Sequence, residues 1–218
     1  MNKIKEIIKK KQTKICLAAD VDNSNDLFKL IEITGDKICI LKIHYDIISD
    51  FFSNKNVIEK LIEYKETYNF LIWEDSKFGD IGYILEKKIN NHIVKWADLI
   101  SITPIGGELS IKNITNIGII LIGEMSCEGH LLNNDFQKKV IALSKISKNI
   151  VGIVCQHKMS ETLLNITPGI SISKNKDDKG QKYSSVEDNN FSDIFVIGRA
   201  IYQSENPRKT LLDLLKKI

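Results

Sequence analysis

Short apolar runs rich in β-branched residues recur along the whole of this chain, and stretches with helical spacing separate most of them. The runs are Ile15–Ala19, Ile38–Ile43, Phe70–Trp73, Leu99–Thr103, Gly118–Ile122, Ile150–Cys155, Gly169–Ile172 and Ile194–Ile197. Among or after them, Asn25–Ile33, Val57–Tyr64, Ile81–Ile89, Phe136–Ile146 and Lys209–Ile218 place apolar residues three or four apart, the period of a half-buried helix. Several runs do not alternate apolar with polar residues. A strand of that kind has both faces covered, as in a parallel sheet wrapped by helices. Eight such strands in 218 residues predict a single α/β domain over residues 1–218, a (β/α)8 barrel. An open doubly wound sheet is the alternative, but the first run leads into DVDNSND (20–26) and not into a G-x-G-x-x-G turn.

Composition narrows the function. Hydrophobic residues are 43% and charged residues 27%, as in an ordinary globular domain, and 12 Gly with 3 Pro leave no low-complexity linker. The net charge is only +3, aromatics are 7%, and two of the 31 cationic residues are arginines, Arg199 and Arg208. No cationic stripe with interleaved aromatics exists for DNA or RNA to follow, so a nucleic-acid partner is not expected. Cys16, Cys39, Cys127 and Cys155 lie far apart without metal-ligand spacing, which fits a reducing, cytoplasmic setting. The basic segment 1–14 lacks the apolar stretch of a secretory signal, and runs such as Ile117–Gly123 are too short to span a bilayer, so no membrane partner is expected.

In a barrel of this kind the active site forms at the carboxyl ends of the strands. Those ends carry Asp20 and Asp22, Lys42 and His44, then Asp75 and Lys77. Each pair is spaced by two, so both members share a face while the chain stays extended. Charges at inward positions are expensive to desolvate unless they are paired or have a task. Asp80 follows Lys77 by three, giving D-x-K-x-x-D; alone it reads as a cap for the next helix, beside exposed backbone amides. The polar segment Ser173–Gln181 follows the seventh run. It reads either as a surface excursion or as a lid over the barrel mouth.

These motifs together resemble the orotidine 5′-monophosphate decarboxylase family. The resemblance runs from about Cys16 to Tyr202 through LAADV, LKIHYDII, EDSKFGDIG, WADLI, GEMS, ITPGI, KGQKY and VIGRAI, in family order. The spacing is similar to that of the decarboxylase domain of the bifunctional UMP synthase, without its transferase domain. The resemblance implies conversion of orotidine 5′-monophosphate to UMP and CO2 in pyrimidine biosynthesis, with no cofactor and no metal. It assigns Lys42, Asp75, Lys77 and Asp80 to a charged catalytic array with Lys77 as proton donor to C6. A lysine between two carboxylates stays protonated and suits that task, whereas a Schiff-base lysine needs the opposite.

By the same resemblance Asp20 and His44 hold the ribose; by themselves the two read equally well as a buried pair. Ser126 reads the pyrimidine edge and Pro168 shapes the pocket beside the carboxylate. Gln181, Tyr183, Gly198 and Arg199 grip the phosphate. A homodimer is implied in which Asp80 and Ile81 enter the neighbouring subunit's site, and association with a separate orotate phosphoribosyltransferase is left open by the sequence. Two departures stand out: Ile84 replaces a threonine common in the family, and Ala18 a frequent serine. Metal-dependent relatives of the same fold place an acidic ligand where this chain has Lys42 and His44.

Overall fold

A computed structural model describes residues 2–171, 180 and 182–218. Eight parallel strands close into a barrel in chain order: β1 (Ile15–Ala18), β2 (Ile40–Ile43), β3 (Leu71–Phe78), β4 (Leu99–Ile102), β5 (Gly118–Ile122), β6 (Ile150–Val154), β7 (Leu164–Pro168) and β8 (Ile194–Ile197). Closure comes from β8 pairing with β1, with Leu17 opposite Ile197. The expected barrel is therefore present and the doubly wound alternative is not.

The unbroken apolar runs become strands buried on both faces. Residues such as Leu71, Trp73, Ile120, Ile166 and Val196 fill the barrel interior. Their neighbours Ile72, Ile119, Phe195 and Ile197 pack outward beneath the surrounding helices. Those helices are α1 (Asn2–Lys11), α2 (Ser24–Thr34), α3 (Val57–Tyr68), α4 (Gly82–Lys88), α5 (Asn134–Leu143), α6 (Arg199–Tyr202) and α7 (Pro207–Leu215). Three of them start on an asparagine whose side chain accepts a bond from an otherwise orphaned amide: Asn23 from Asp26, Asn133 from Phe136 and Asn206 from Lys209, each at 3.0 Å.

The seventh strand departs from expectation. It lies at Leu164–Pro168, not at Gly169–Ile172, of which Gly169, Ile170 and Ser171 are described. Gly169 has φ 78°, which takes the chain out of the sheet, and Ile170 keeps only an isolated bridge to Ser184. The true strand was hidden because Asn165 and Thr167 interrupt its apolar character. Loop residues pack on that outward face, and the two polar side chains serve them. Asn165 Oδ1 accepts from the amides of Met159 and Ser160 at 2.9 and 3.1 Å, and Thr167 Oγ1 meets Ser192 Oγ at 2.5 Å. The polar segment 173–181 lies outside the described residues apart from Gly180.

Helix α1 is the element that composition concealed. Its Ile4 and Ile7 are buried against the barrel interior and close its amino-terminal end. Lys11, in its last turn, donates to the carbonyls of Gly35 and Tyr68, both at 2.7 Å, and of Asn69 at 3.3 Å. One ammonium thus ties α1 to the ends of α2 and α3. Lys11→Met keeps the aliphatic stem but leaves those carbonyls without the donor. It is expected to lower the unfolding free energy by about 2 kcal/mol, the scale of a bond to a charged group. Urea unfolding checks this, and a loss near zero would show that the tie contributes nothing.

Candidate active site

The charged side chains gather where β1, β2 and β3 end. Lys42 projects inward from β2, its side chain 8% exposed, and its Nζ stands 3.0 Å from Asp75 Oδ2 and 3.4 Å from Asp20 Oδ1. Lys77 Nζ reaches the same Asp75 Oδ2 at 2.9 Å and also donates to the Asp75 carbonyl at 3.2 Å. The other oxygen, Asp75 Oδ1, accepts from Ser101 Oγ at 2.7 Å. Burial would push the Asp75 carboxyl up, but the Lys42 and Lys77 ammoniums outweigh it and hold the group well below the usual carboxylate range. Burial likewise opposes the Lys42 charge, and the Asp75 and Asp20 carboxylates reverse this and raise its pKa.

His44 completes the cluster in its neutral form. Burial, followed by the nearby Lys42 ammonium, lowers its pKa to about 4. Nε2 lies 2.9 Å from Lys42 Nζ, so it accepts from the ammonium and the ring proton sits on Nδ1. With His44 neutral, Lys42 and Lys77 balance Asp20 and Asp75, and the array carries no net charge.

The array lines one side of a cavity of about 280 Å³. Ala18, Trp73, Ile122, Val154 and Val196 line its apolar part, and the remaining wall includes Met125, Ser126, Cys127, Pro168, Tyr183, Gly198 and Arg199. The Arg199 guanidinium lies 5.7 Å from the centre of the Tyr183 ring. A Cβ on Gly198 would stand 3.2 Å from the Ala18 carbonyl, so the glycine lets the chain pass tightly beside β1 as it enters α6. The amide of Lys182 donates to the Ser126 carbonyl at 2.9 Å, fastening the end of the polar segment to the wall after β5.

Residues 13–214 match the orotidine 5′-phosphate decarboxylase / HUMPS family. The chain is 32% identical over 217 residues to the orotidine 5′-phosphate decarboxylase of Pachysolen tannophilus, covering 90% of this chain and 81% of that protein. It is 32% identical over 219 residues to the uridine 5′-monophosphate synthase of Bos taurus, covering 94% of this chain but 45% of that protein. Its barrel superimposes on the crystal structure of orotidine 5′-phosphate decarboxylase from Pyrococcus horikoshii OT3 with a TM-score of 0.75, at 22% identity and over 94% and 98% of the two chains.

The chain belongs to the orotidine 5′-phosphate decarboxylase / HUMPS family. It is an enzyme of the carboxy-lyase class. Of the residues the sequence nominated, the fold brings Asp20, Lys42, His44, Asp75, Lys77, Ser126, Pro168, Tyr183, Gly198 and Arg199 to one cavity. Asp22 is exposed and stays outside it, and Gln181 is not among the described residues. Asp80 does not join the other three charged residues within one chain. Its carboxylate accepts from the Ile81 amide at 2.8 Å and pairs with Lys88 at 3.1 Å, beyond the end of β3. Ile81 beside it is 65% exposed.

Three contributors escaped the sequence reading. Ser101 on β4 accepts from the Lys77 amide at 3.0 Å while donating to Asp75, so one hydroxyl bridges two residues of the array. Nothing distinguishes it in the run LISIT except that it interrupts apolar residues. Trp73 is 1% exposed beneath Asp75, and its indole N–H has no hydrogen-bond partner among the described residues. Glu74 is fully buried on the face opposite Asp75.

The state of His44 sets a testable pH dependence. Its native pKa of about 4 lies below the unfolded value near 6.5, so the unfolded chain binds the extra proton first. The neutral ring's contribution is complete above about pH 6.5 and is lost as pH falls toward 4. An NMR titration should find the His44 ring protons shifting with a midpoint near 4; a midpoint near 6.5 would mean that burial and Lys42 do not hold the ring neutral.

Proposed function

We propose that this chain decarboxylates orotidine 5′-monophosphate to UMP and CO2. The observation that carries the reading is the shared Asp75 oxygen, flanked by Lys42 at 3.0 Å and Lys77 at 2.9 Å at the wall of a cavity that also holds Arg199 and Tyr183. Loss of CO2 from C6 leaves an electron pair in the plane of the pyrimidine ring, with no adjacent carbonyl to delocalise it. A protonated amine fixed beside that carbon stabilises the charge as it develops and then delivers its proton there. Lys77 takes this role. Asp75 faces the substrate carboxylate, and the repulsion between them is relieved as CO2 departs. Asp20 and neutral His44 hold the ribose hydroxyls, Ser126 reads the pyrimidine edge, and Pro168 bounds the pocket. Arg199, Tyr183, Gln181 and the Gly198 amide bind the phosphate, where a planar guanidinium can engage two oxygens at once.

The metal-dependent chemistry of the same fold fits the site less well, because the buried Lys42 ammonium repels a divalent cation where an acidic ligand is needed.

Asp80 joins the reading through a second copy of the chain. Ile81, Tyr83, Ile105 and Leu109 are 65%, 63%, 67% and 75% exposed beside it. They belong to one surface: a Cβ on Gly79 would stand 3.3 Å from the Ile105 side chain, and one on Gly82 only 2.1 Å from the Leu109 carbonyl. A homodimer that buries this apolar surface brings Asp80 and Ile81 to the partner's cavity.

A spectrophotometric assay of orotidine 5′-monophosphate should show turnover that persists in excess EDTA. Lys77→Ala should fall below about a tenth of the wild-type rate, a barrier change above about 1.4 kcal/mol, while still binding nucleotide. Turnover abolished by EDTA, or retained by Lys77→Ala, would defeat the reading.

For the dimer, Asp75→Ala and Asp80→Ala subunits are expected to be inactive apart and to regain activity on mixing, since each heterodimer then holds one intact site. No recovery after verified subunit exchange would leave Asp80 outside the chemistry. Arg199→Ala should reduce kcat/KM for the nucleotide by several kcal/mol and barely alter the slow reaction of orotidine, which lacks the phosphate. Equal losses on both substrates would place Arg199 outside the phosphate site.

A further inference from the structure

We propose that Glu74, which faces away from the cavity, is the positioning residue that sets the reach of Lys77. The proposal rests on the decarboxylase reading and gives a task to a residue to which the family resemblance assigns no role.

Glu74 follows the outward-facing Ile72 on β3, in a layer otherwise filled by apolar side chains such as Ile43, Phe70 and Ile100. It is fully buried. No cation pairs with it among the described residues. Both of its oxygens accept from a single residue two positions on: the Ser76 amide donates to Oε1 at 3.0 Å and to Oε2 at 3.1 Å, and the Ser76 hydroxyl donates to Oε1. An apolar side chain would suit that layer better, because a buried carboxylate without a counter-ion is unfavourable.

What the carboxylate does is bend the strand. The register of β3 against β4 shifts between Glu74 and Phe78, and the residue after Ser76 is Lys77, at φ 49°. A left-handed conformation is uncommon for a lysine and persists only where its surroundings impose it. Here Glu74 draws the Ser76 amide and hydroxyl outward, and Ser101 takes the Lys77 amide on the other side at 3.0 Å. Held between them, the Lys77 side chain turns back along its own strand and meets both the carboxylate and the carbonyl of Asp75. Asp75 and Lys77 are spaced as if they shared a face of an extended strand, yet it is the bend that unites them.

The clamp is sensitive to ionisation. Burial pushes Glu74 up to about 7, the Ser76 bonds oppose the shift, and the Asp75 and Asp46 carboxylates add to it. Tyr45, from the segment after β2, and Lys88, from α4, also lie within electrostatic reach of this cluster. Protonation removes acceptor strength from the clamp, so turnover should fall as pH drops through about 7. Stability runs the other way. The native state keeps this proton to about pH 7 while the unfolded chain releases it near 4.5, so folding weakens as pH rises across that window.

Two variants of the full chain test the proposal, Glu74→Leu and Glu74→Gln. At pH 8, Glu74→Leu should lose at least about ten-fold in kcat with KM changed less than about two-fold, while its Tm rises. A purely structural role would lower both together. Glu74→Gln, which keeps one carbonyl acceptor for Ser76, should recover part of the rate and lose the inflection of kcat between pH 6 and 8. A Glu74→Leu kcat within two-fold of wild type overturns the proposal, as does a joint fall of kcat and Tm. If Glu74→Leu does not fold, Glu74→Gln decides: an unchanged inflection overturns the proposal and its loss supports it. Wild-type turnover, measured first, reports on the decarboxylase reading separately. Were it absent, a crystal structure of Glu74→Leu would still judge Glu74, because Lys77 should leave the left-handed region and part from Asp75; retention of both features would overturn the proposal.

Discussion

One oxygen of Asp75 accepts from two ammonium groups inside a barrel whose other interior residues are almost all apolar. Each of these charges taken singly would be strongly disfavoured there. Together with Asp20 they form an electrically balanced set, and the bond from Ser101 satisfies the second Asp75 oxygen. The rest of the site depends on this balance. It keeps Lys42 charged, burial together with that charge keeps His44 neutral, and the neutral ring is then a hydrogen-bond acceptor and not a third cation. Removing a single member leaves the set with a net charge in a poorly hydrated place, so the array is far from additive.

The barrel was legible because its strands are buried on both faces, and continuous apolar runs are the sequence trace of that burial. Seven of the eight were found in this way. The eighth, Leu164–Pro168, was displaced because a loop packs on its outer face and requires Asn165 and Thr167 where a helix would have required aliphatic residues. Helix α1 went unseen because charge dominates it, although Ile4 and Ile7 supply the apolar contacts that dock it. Local period reports burial against a neighbour, and it is weak wherever that neighbour is irregular or the apolar face is only two residues wide.

Site residues were legible to the extent that charge at a strand end is conspicuous. Lys42, Asp75 and Lys77 stand out because nothing else accounts for ionised side chains at inward positions. Ser101 did not stand out, because a serine between isoleucines carries no signal until the fold shows that it bridges Lys77 and Asp75. Glu74 escaped because it sits beside Asp75 among other charges, and nothing in the sequence shows that the strand turns it into the core. The spacing argument for Asp75 and Lys77 reached the right pair by an incomplete route, since the two meet across a left-handed residue and not along an extended strand.

The same balance is compatible with a reaction in which proton donation and charge repulsion share one short segment, as proposed. In the resting site Lys77 is fixed by the Asp75 carboxylate, its strongest local attraction. Under the proposed reaction the substrate carboxylate arrives beside Asp75 and competes for the same ammonium. As CO2 leaves, the negative charge passes from a carboxylate to a carbon, and the site gains where that carbon lies closer to Lys77 than the departing group did. Lys42 is already bonded to Asp75, Asp20 and His44, so it does not follow the moving charge. Lys77 is the less buried of the two amines, its side chain 33% exposed against 8% for Lys42. That difference supports the proposed roles, in which the enclosed lysine would hold Asp75 ionised and the more open one would face the substrate and exchange its proton with solvent between turnovers.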